Sequence, residues 1–148
     1  MIRLGVMDID GVIADARHRL WLIKSPPKDW DRFYELVSED PLLEAGYNLA
    51  HSIRKENDAI LYLSGRREST RKDTVAWLQT NKLPVGSIVM RTDGDYRPAS
   101  VLKLEILQGL AHDYIITVIV DDDPKVCNVL SGAGYNVVQA VWARADDA

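Results

Sequence analysis

Met7-Asp8-Ile9-Asp10-Gly11-Val12-Ile13-Ala14-Asp15 closes the first hydrophobic run of the chain and sets two carboxylates at its mouth. Upstream, Ile2, Leu4 and Val6 alternate and then stop at the acids and the glycine. A run bounded in this way reads as a short buried strand entering a turn. Residues two apart on an extended backbone point the same way, so Asp8 and Asp10 can converge on one centre. Gly11 permits a tight turn behind them. If the sheet is parallel, ligands bind outside the carboxyl ends of its strands, which is where both acids lie. Acids are common in such loops, and this stretch alone fits equally well with carboxylates that solvate a strand end and cap the next turn of chain.

Working outward, the remaining apolar runs alternate with helical patterns. Gly46 to Lys55 is helical, and Ala59-Ile60-Leu61-Tyr62-Leu63 is a buried strand ending at Ser64-Gly65-Arg66. Glu68 to Thr80 is helical with Val75 and Leu78 on one face, and Ser87 to Met90 is a short strand before a polar loop from Arg91 to Arg97. Pro98 opens a helix carried by Val101, Leu104, Ile106, Leu107 and Leu110. Ile115 to Val120, the most apolar strand, runs into Asp121-Asp122-Asp123-Pro124. A helix from about Lys125 to Ala133 stops at Gly134, and Val137-Val138 forms a last strand.

Continuous apolar strands alternating with helices predict an α/β fold, a doubly wound parallel sheet covered on both faces. Residues 14–45 are irregular and aromatic-rich, with short helices expected from Arg17 to Ile23 and from Asp29 to about Ser38 around the break at Ser25-Pro26-Pro27. They read as a small insert after the first strand. No second core large enough for another domain is evident, so residues 1–148 are expected to form one domain. The acidic Ala145-Asp146-Asp147-Ala148 end is expected to fray.

Composition narrows the function. The chain has 148 residues, 47% hydrophobic and 27% charged, as in ordinary globular proteins. A net charge of −4 argues against broad clamping of nucleic acid, while leaving room for a local basic pocket. A lone Cys127 fits a reducing, cytoplasmic setting and reads as a small buried helix residue. No signal peptide and no stretch of about 18 apolar residues is present, so no membrane association is expected. His18, His51 and His112 show no ligand spacing.

The strand ends carry the chemistry. Asp8 and Asp10 end the first strand, Ser64-Gly65 the second, Asp121 and Asp122 the fourth, and Lys103 lies on the helix before that strand. In a parallel sheet all of these open on one crevice. Clustered carboxylates repel unless a cation sits among them, and oxygen-only ligands favour a hard ion such as Mg²⁺. A hydroxyl, a backbone N–H and a lysine suit the oxygens of a phosphoryl group.

The order Asp8-x-Asp10-Gly11, Ser64-Gly65-Arg66, Lys103 and Asp121-Asp122 resembles the four motifs of the haloacid dehalogenase-like (HAD) superfamily, phosphatase branch, with its Rossmann-type three-layer sandwich. Within it the chain is most similar to the polynucleotide 3′-phosphatase domains of bacteriophage type. The segment Arg91-Thr92-Asp93-Gly94-Asp95-Tyr96-Arg97, then Lys103-Leu104-Glu105-Ile106, carries that likeness, with Gly134 and Gln139 near the end. Pro98-Ala99 departs from a basic-acidic pair there, and Asp123 from a basic residue. No G-x-x-x-x-G-K-[ST] phosphate loop occurs, so any kinase or ligase partner is expected on a separate chain.

The resemblance implies a Mg²⁺-dependent phosphomonoesterase. Asp8 would form an aspartyl phosphate, and Asp10 would act as acid and then base. Ser64, Gly65 and Lys103 would hold the transferring oxygens. The ion would sit on Asp8, the Asp10 carbonyl and Asp121, with Asp122 orienting its waters or Lys103. Arg66, Arg91 and Arg97 are the substrate-contact candidates, and Arg67, Arg71 and Lys72 are read as an exposed helix face. Trp21, Trp30, Phe33 and Tyr34 are read as packing the insert onto its domain, with base stacking the alternative, and Tyr96 is open between the two. The implied substrate is the 3′-phosphate end of DNA or RNA. The competing readings are a nucleotidase or small-molecule phosphatase, and a phosphate-binding module without turnover. The small insert makes no large cap, so an open site is expected. The expected location is the cytoplasm, or a host cytoplasm for a phage protein.

Overall fold

The computed structural model describes residues 1–143, so the acidic end from Ala145 to Ala148 lies outside the described residues. Five strands form one sheet: β1 Ile2–Met7, β2 Ala59–Arg67, β3 Ser87–Arg91, β4 Tyr114–Asp121 and β5 Val137–Gln139. Their order is β3-β2-β1-β4-β5, and every pair is parallel. The expected doubly wound α/β architecture is what the chain adopts.

Alternation within the strands explains why helices cover both faces. Met7, Ile60, Tyr62 and Val120 join one buried cluster with Ala50 and Ile53 of α3 (Glu44–Glu56) and Trp77 and Leu78 of α4 (Arg71–Thr80). Their strand neighbours Leu4, Val6, Leu61, Leu63 and Ile119 join a second cluster. It includes Leu107 of α5 (Ala99–Leu110) and Val126 and Leu130 of α6 (Pro124–Gly132). Successive side chains point to opposite faces, so each strand feeds both layers. Chain order runs outward from β1 through β2 to β3 and then returns to β4. The switch point lies between β1 and β4, and open sheets of this kind bind ligands outside the carboxyl ends of the strands at such a point.

Some local expectations shift. Leu102 and Lys103 are the buried residues near the start of α5, while Val101 is 50% exposed. Thr74 and Trp77, rather than Val75, accompany Leu78 into the core. β2 runs on through Ser64, Gly65 and Arg66 to Arg67, and its pairing with β3 shifts between Leu63 and Arg67. A bulge of this kind re-aims side chains at a strand end. It leaves Ser64 and Arg66 both buried.

The insert holds α1 (Trp21–Lys24), α2 (Trp30–Glu35) and two 3₁₀ turns, Arg17–Arg19 and Leu36–Glu39. Asp29 caps α2 by accepting from the Arg32 N–H. Gly134, at φ +98°, follows α6. No helix among the described residues is long and apolar enough to cross a membrane.

Leu107 is fully buried between α5 and the sheet. Leu107→Ala is expected to lower unfolding free energy by about 2–5 kcal/mol, the range for a buried leucine whose cavity cannot collapse. Urea denaturation of both proteins measures it, and a loss below about 1 kcal/mol would contradict the packing described.

Candidate active site

Asp8 follows β1 directly, and its own N–H donates to the Val120 carbonyl of β4 at 2.9 Å, extending the ladder between the two strands. Asp121 ends β4, and the Ala140 N–H donates to its carbonyl at 2.8 Å. Lys103 reaches this rim from α5. Its Nζ lies 2.6 Å from Asp121 Oδ2 and 3.3 Å from Asp8 Oδ1, with all three side chains almost fully buried. One oxygen each from Asp8, Asp121 and Asp122 lies within 4.8 Å of the others. Gly11 sits against this group. At φ +78° it favours glycine, and a Cβ there would come 2.0 Å from Asp122 Oδ2.

These groups strain one another electrostatically. Burial, then the charge of Asp121, raises the Asp8 carboxyl well above its usual range, with Lys103 acting in the opposite direction. Asp122 is pushed up to about 6 by burial and then by Asp121. Burial would lower the Lys103 pKa, but Asp8 and Asp121 outweigh it and hold the ammonium charged. With all three carboxylates ionised against one ammonium, two negative charges would stand uncompensated, which is why burial and mutual repulsion raise Asp8 and Asp122. The donor set is all oxygen, so the cluster fits a hard divalent cation.

Asp10 points elsewhere. Its carboxylate accepts from Arg19 Nη2 at 2.8 Å and Arg66 Nη2 at 2.7 Å. The same two guanidiniums converge on Asp40, from Arg19 Nε and Nη2 at 2.8 Å each and Arg66 Nη2 at 2.9 Å. His18 Nε2 lies 2.6 Å from Asp40, and Arg66 Nη1 donates to Thr74. The side chains of Arg19, Arg66 and Asp40 are inaccessible, whereas that of Asp10 keeps 32% of its surface open. Burial alone would raise its pKa; the two guanidiniums outweigh burial and hold it low. The insert thus supplies two of the four members of a buried charge quartet that presents one carboxylate to the crevice.

The expected site residues therefore divide into groups. Asp8, Lys103, Asp121 and Asp122 meet. The Asp10 side chain lies outside the three-acid cluster. Ser64 is buried on the β2 bulge, its Oγ accepting from the Arg66 N–H at 3.0 Å. Arg66, expected to touch substrate, is turned inward instead because its donors are taken by Asp10, Asp40 and Thr74. Arg91 and Arg97 lie apart on the β3 rim. Arg91 donates to the carbonyls of Gly65 (3.3 Å), Asp95 (3.0 Å) and Arg97 (2.7 Å), and so shapes the loop. Arg97 is paired with Asp95 and Glu105, and it draws Asp95 down to about 2.

Cys127 is buried, its Sγ 3.4 Å from the Asp121 carbonyl, and burial pushes its thiol up to about 11, which fits an inert residue. Sequence reading misses Arg19 and Asp40. Asp40 is 21 residues from Arg19 and 26 from Arg66, so no local spacing announces the quartet. Arg67, read as an exposed helix face, in fact lies over the Tyr34 ring at 4.9 Å.

Asp40→Ala leaves Arg19 and Arg66 buried with Asp10 as their remaining carboxylate. Removing one partner of a buried pair is expected to cost about 3–5 kcal/mol of stability. Urea unfolding of the variant measures it; a change within about 1 kcal/mol would mean the quartet holds without Asp40.

Comparison with known proteins identifies the family. Residues 3–143 match the family model described as the polynucleotide kinase PNKP phosphatase domain. A comparison with curated proteins found no match. Among solved structures, the chain is similar to one in the Pnkp1/Rnl/Hen1 RNA repair complex, with TM-score 0.77 and 19% identity. That match covers 94% of this chain and 42% of the other, so the chain spans less than half of that relative's length. The class C acid phosphatase from Bacillus anthracis with tungstate bound gives TM-score 0.66 at 16% identity, covering 85% of this chain and 54% of that one. A HAD family enzyme from Bacteroides thetaiotaomicron, in complex with magnesium and inorganic phosphate, gives 0.54 at 11% identity, covering 97% and 96%. These structural likenesses concern the fold. The family match spans nearly the whole chain, and the chain belongs to the PNKP phosphatase-domain family of HAD-like phosphatases.

Proposed function

We propose that this chain is a Mg²⁺-dependent phosphomonoesterase that removes 3′-phosphate from nucleic-acid ends through an aspartyl phosphate on Asp8. The observation that carries the reading is the rim itself. Asp8 lies 3.3 Å from the Lys103 ammonium, inside a three-carboxylate cluster, with the Asp10 carboxylate partly open two residues on.

An Asp8 oxygen attacks phosphorus in line, and the bond from phosphorus to the sugar oxygen breaks. Asp10 gives its proton to the departing alkoxide. Water then attacks the aspartyl phosphate, Asp10 takes a proton from it, and the bond from phosphorus to Asp8 breaks to release inorganic phosphate. Acid–base help of this kind is typically worth about 10²–10⁴-fold. The guanidiniums of Arg19 and Arg66 hold Asp10 ionised, which suits the second step. An incoming phosphate dianion acts against them and favours the protonated form needed in the first.

Ser64, the Gly65 N–H and Lys103 hold the transferring oxygens, and positioning with fixed charge supplies most of the acceleration. Asp8, the Asp10 carbonyl and Asp121 would hold the ion, with Asp122 orienting its waters. Once bound, the ion supplies the positive charge that lets two anions approach. The likeness to a chain of an RNA repair complex supports a nucleic-acid end as substrate and separate end-processing proteins as partners.

Asp8→Asn is expected to abolish p-nitrophenyl phosphate hydrolysis while leaving the circular dichroism spectrum unchanged. Activity in the parent should vanish with EDTA and return with Mg²⁺. Comparing kcat/KM for a 3′-phosphorylated oligonucleotide with that for mononucleotides tests the substrate; no preference for the oligonucleotide would favour a nucleotidase. An inactive parent protein would favour a binding module.

A further inference from the structure

A bowl of about 350 Å³ lies beside the catalytic rim, on the side of β3. One wall comes from the insert, where the rings of Trp30 and Tyr34 stack with centroids 6.0 Å apart at 24°. The opposite wall is the loop after β3, with Tyr96 85% exposed. Arg91 adds positive charge, whereas Arg67 is paired with Asp31 and Arg97 with Asp95. The floor reaches Gly65, next to Ser64. A Cβ built on Gly65 would meet only Arg91 Nη2, at 3.8 Å, so the surface above it is open. Gly65 is thus the residue that the bowl shares with the strand end carrying Ser64.

The insert aromatics serve two purposes. Phe33 is buried, with the Arg19 guanidinium 4.3 Å from its ring centre, and so packs the insert onto the charge quartet. Trp30 packs edge-on against Phe33, with centroids 5.7 Å apart, yet remains 38% exposed. A core role accounts for Phe33. It does not account for an open aromatic face flanked by arginines on an acidic protein.

We infer that this bowl is a nucleobase subsite: it takes the base of the 3′-phosphorylated terminal nucleotide, stacked on the exposed ring of Trp30 or Tyr96, while its phosphate lies at Asp8. The inference rests on the phosphatase reading above and specifies its substrate. Aromatic faces stack on any base, so the subsite selects for a nucleotide end without selecting sequence. Arg91 suits the backbone phosphate on the 5′ side of that nucleotide. A small phosphoester without a base leaves the bowl unused.

Three measurements test it, each read as the ratio of kcat/KM for a 3′-phosphorylated oligonucleotide to that for p-nitrophenyl phosphate. Trp30→Ala and Tyr96→Ala should each lower the ratio by about tenfold, within the range for losing a stacked base. Tyr96 is on a loop away from the insert and largely exposed, so its variant keeps the test valid if Trp30→Ala fails to fold. With the parent protein, an oligonucleotide whose terminal phosphorylated residue is abasic should lose a similar factor, and neither variant should slow it further. Ratios within about twofold of the parent for both variants, and equal turnover of abasic and intact ends, would overturn the subsite alone. A protein that hydrolyses p-nitrophenyl phosphate but no 3′-phosphorylated oligonucleotide would overturn both the subsite and the substrate reading beneath it.

Discussion

Carboxylates gathered on one rim repel, and at the mouths of β1 and β4 that repulsion is the condition the rest of the structure must satisfy. Two unit charges about 4 Å apart interact by about 4 kcal/mol at the effective dielectric near a protein surface. Asp8, Asp121 and Asp122 face this cost together within 4.8 Å. Lys103, carried by α5 on the opposite layer from α3 and α4, relieves part of it. The change of layer between β3 and β4 therefore does more than cover the sheet. It delivers an ammonium to the acids at the switch point. The negative charge left over is of the kind a hard divalent cation could offset.

Next to this rim, a second electrostatic arrangement works on a different principle. Arg19, Arg66, Asp10 and Asp40 balance within themselves, two guanidiniums against two carboxylates, and need no external ion. The quartet orients Asp10 while keeping it partly open, and it fastens the insert to the sheet. Phe33 lies against Arg19, and Trp30 lies against Phe33, so the wall of the neighbouring bowl is built on the same contacts. The charge quartet and the wall of the bowl are thus coupled through one short insert.

Legibility depends on the range of the interaction. Asp8, Asp10, Asp121 and Asp122 stand out because each ends an apolar strand, a pattern confined to a few neighbouring residues. Lys103 is identifiable only through its place in an ordered set of motifs, since a lysine on an amphipathic helix is otherwise unremarked. Arg66 reads as a substrate contact through its place in the Ser64-Gly65-Arg66 motif, whereas on the bulged end of β2 its side chain is turned inward. Arg19 and Asp40 leave no local trace. Periodicity alone assigns Val101 to the core, whereas the helix rotates to bury Lys103 and Leu102 instead.

Strand and helix periodicity, the acids at strand ends and the order of the motifs are properties of short segments, and the amino-acid sequence determined the parallel α/β architecture and the acidic rim through them. The partners of each charge depended on which segments the fold brings side by side. Ion pairs bridging 21 and 26 residues, the rotation of α5 and the division of the insert aromatics between core and open bowl were settled by packing. A side chain's neighbours in three dimensions set its dielectric surroundings and its charge partners, and those appear only when the sheet closes over its two layers.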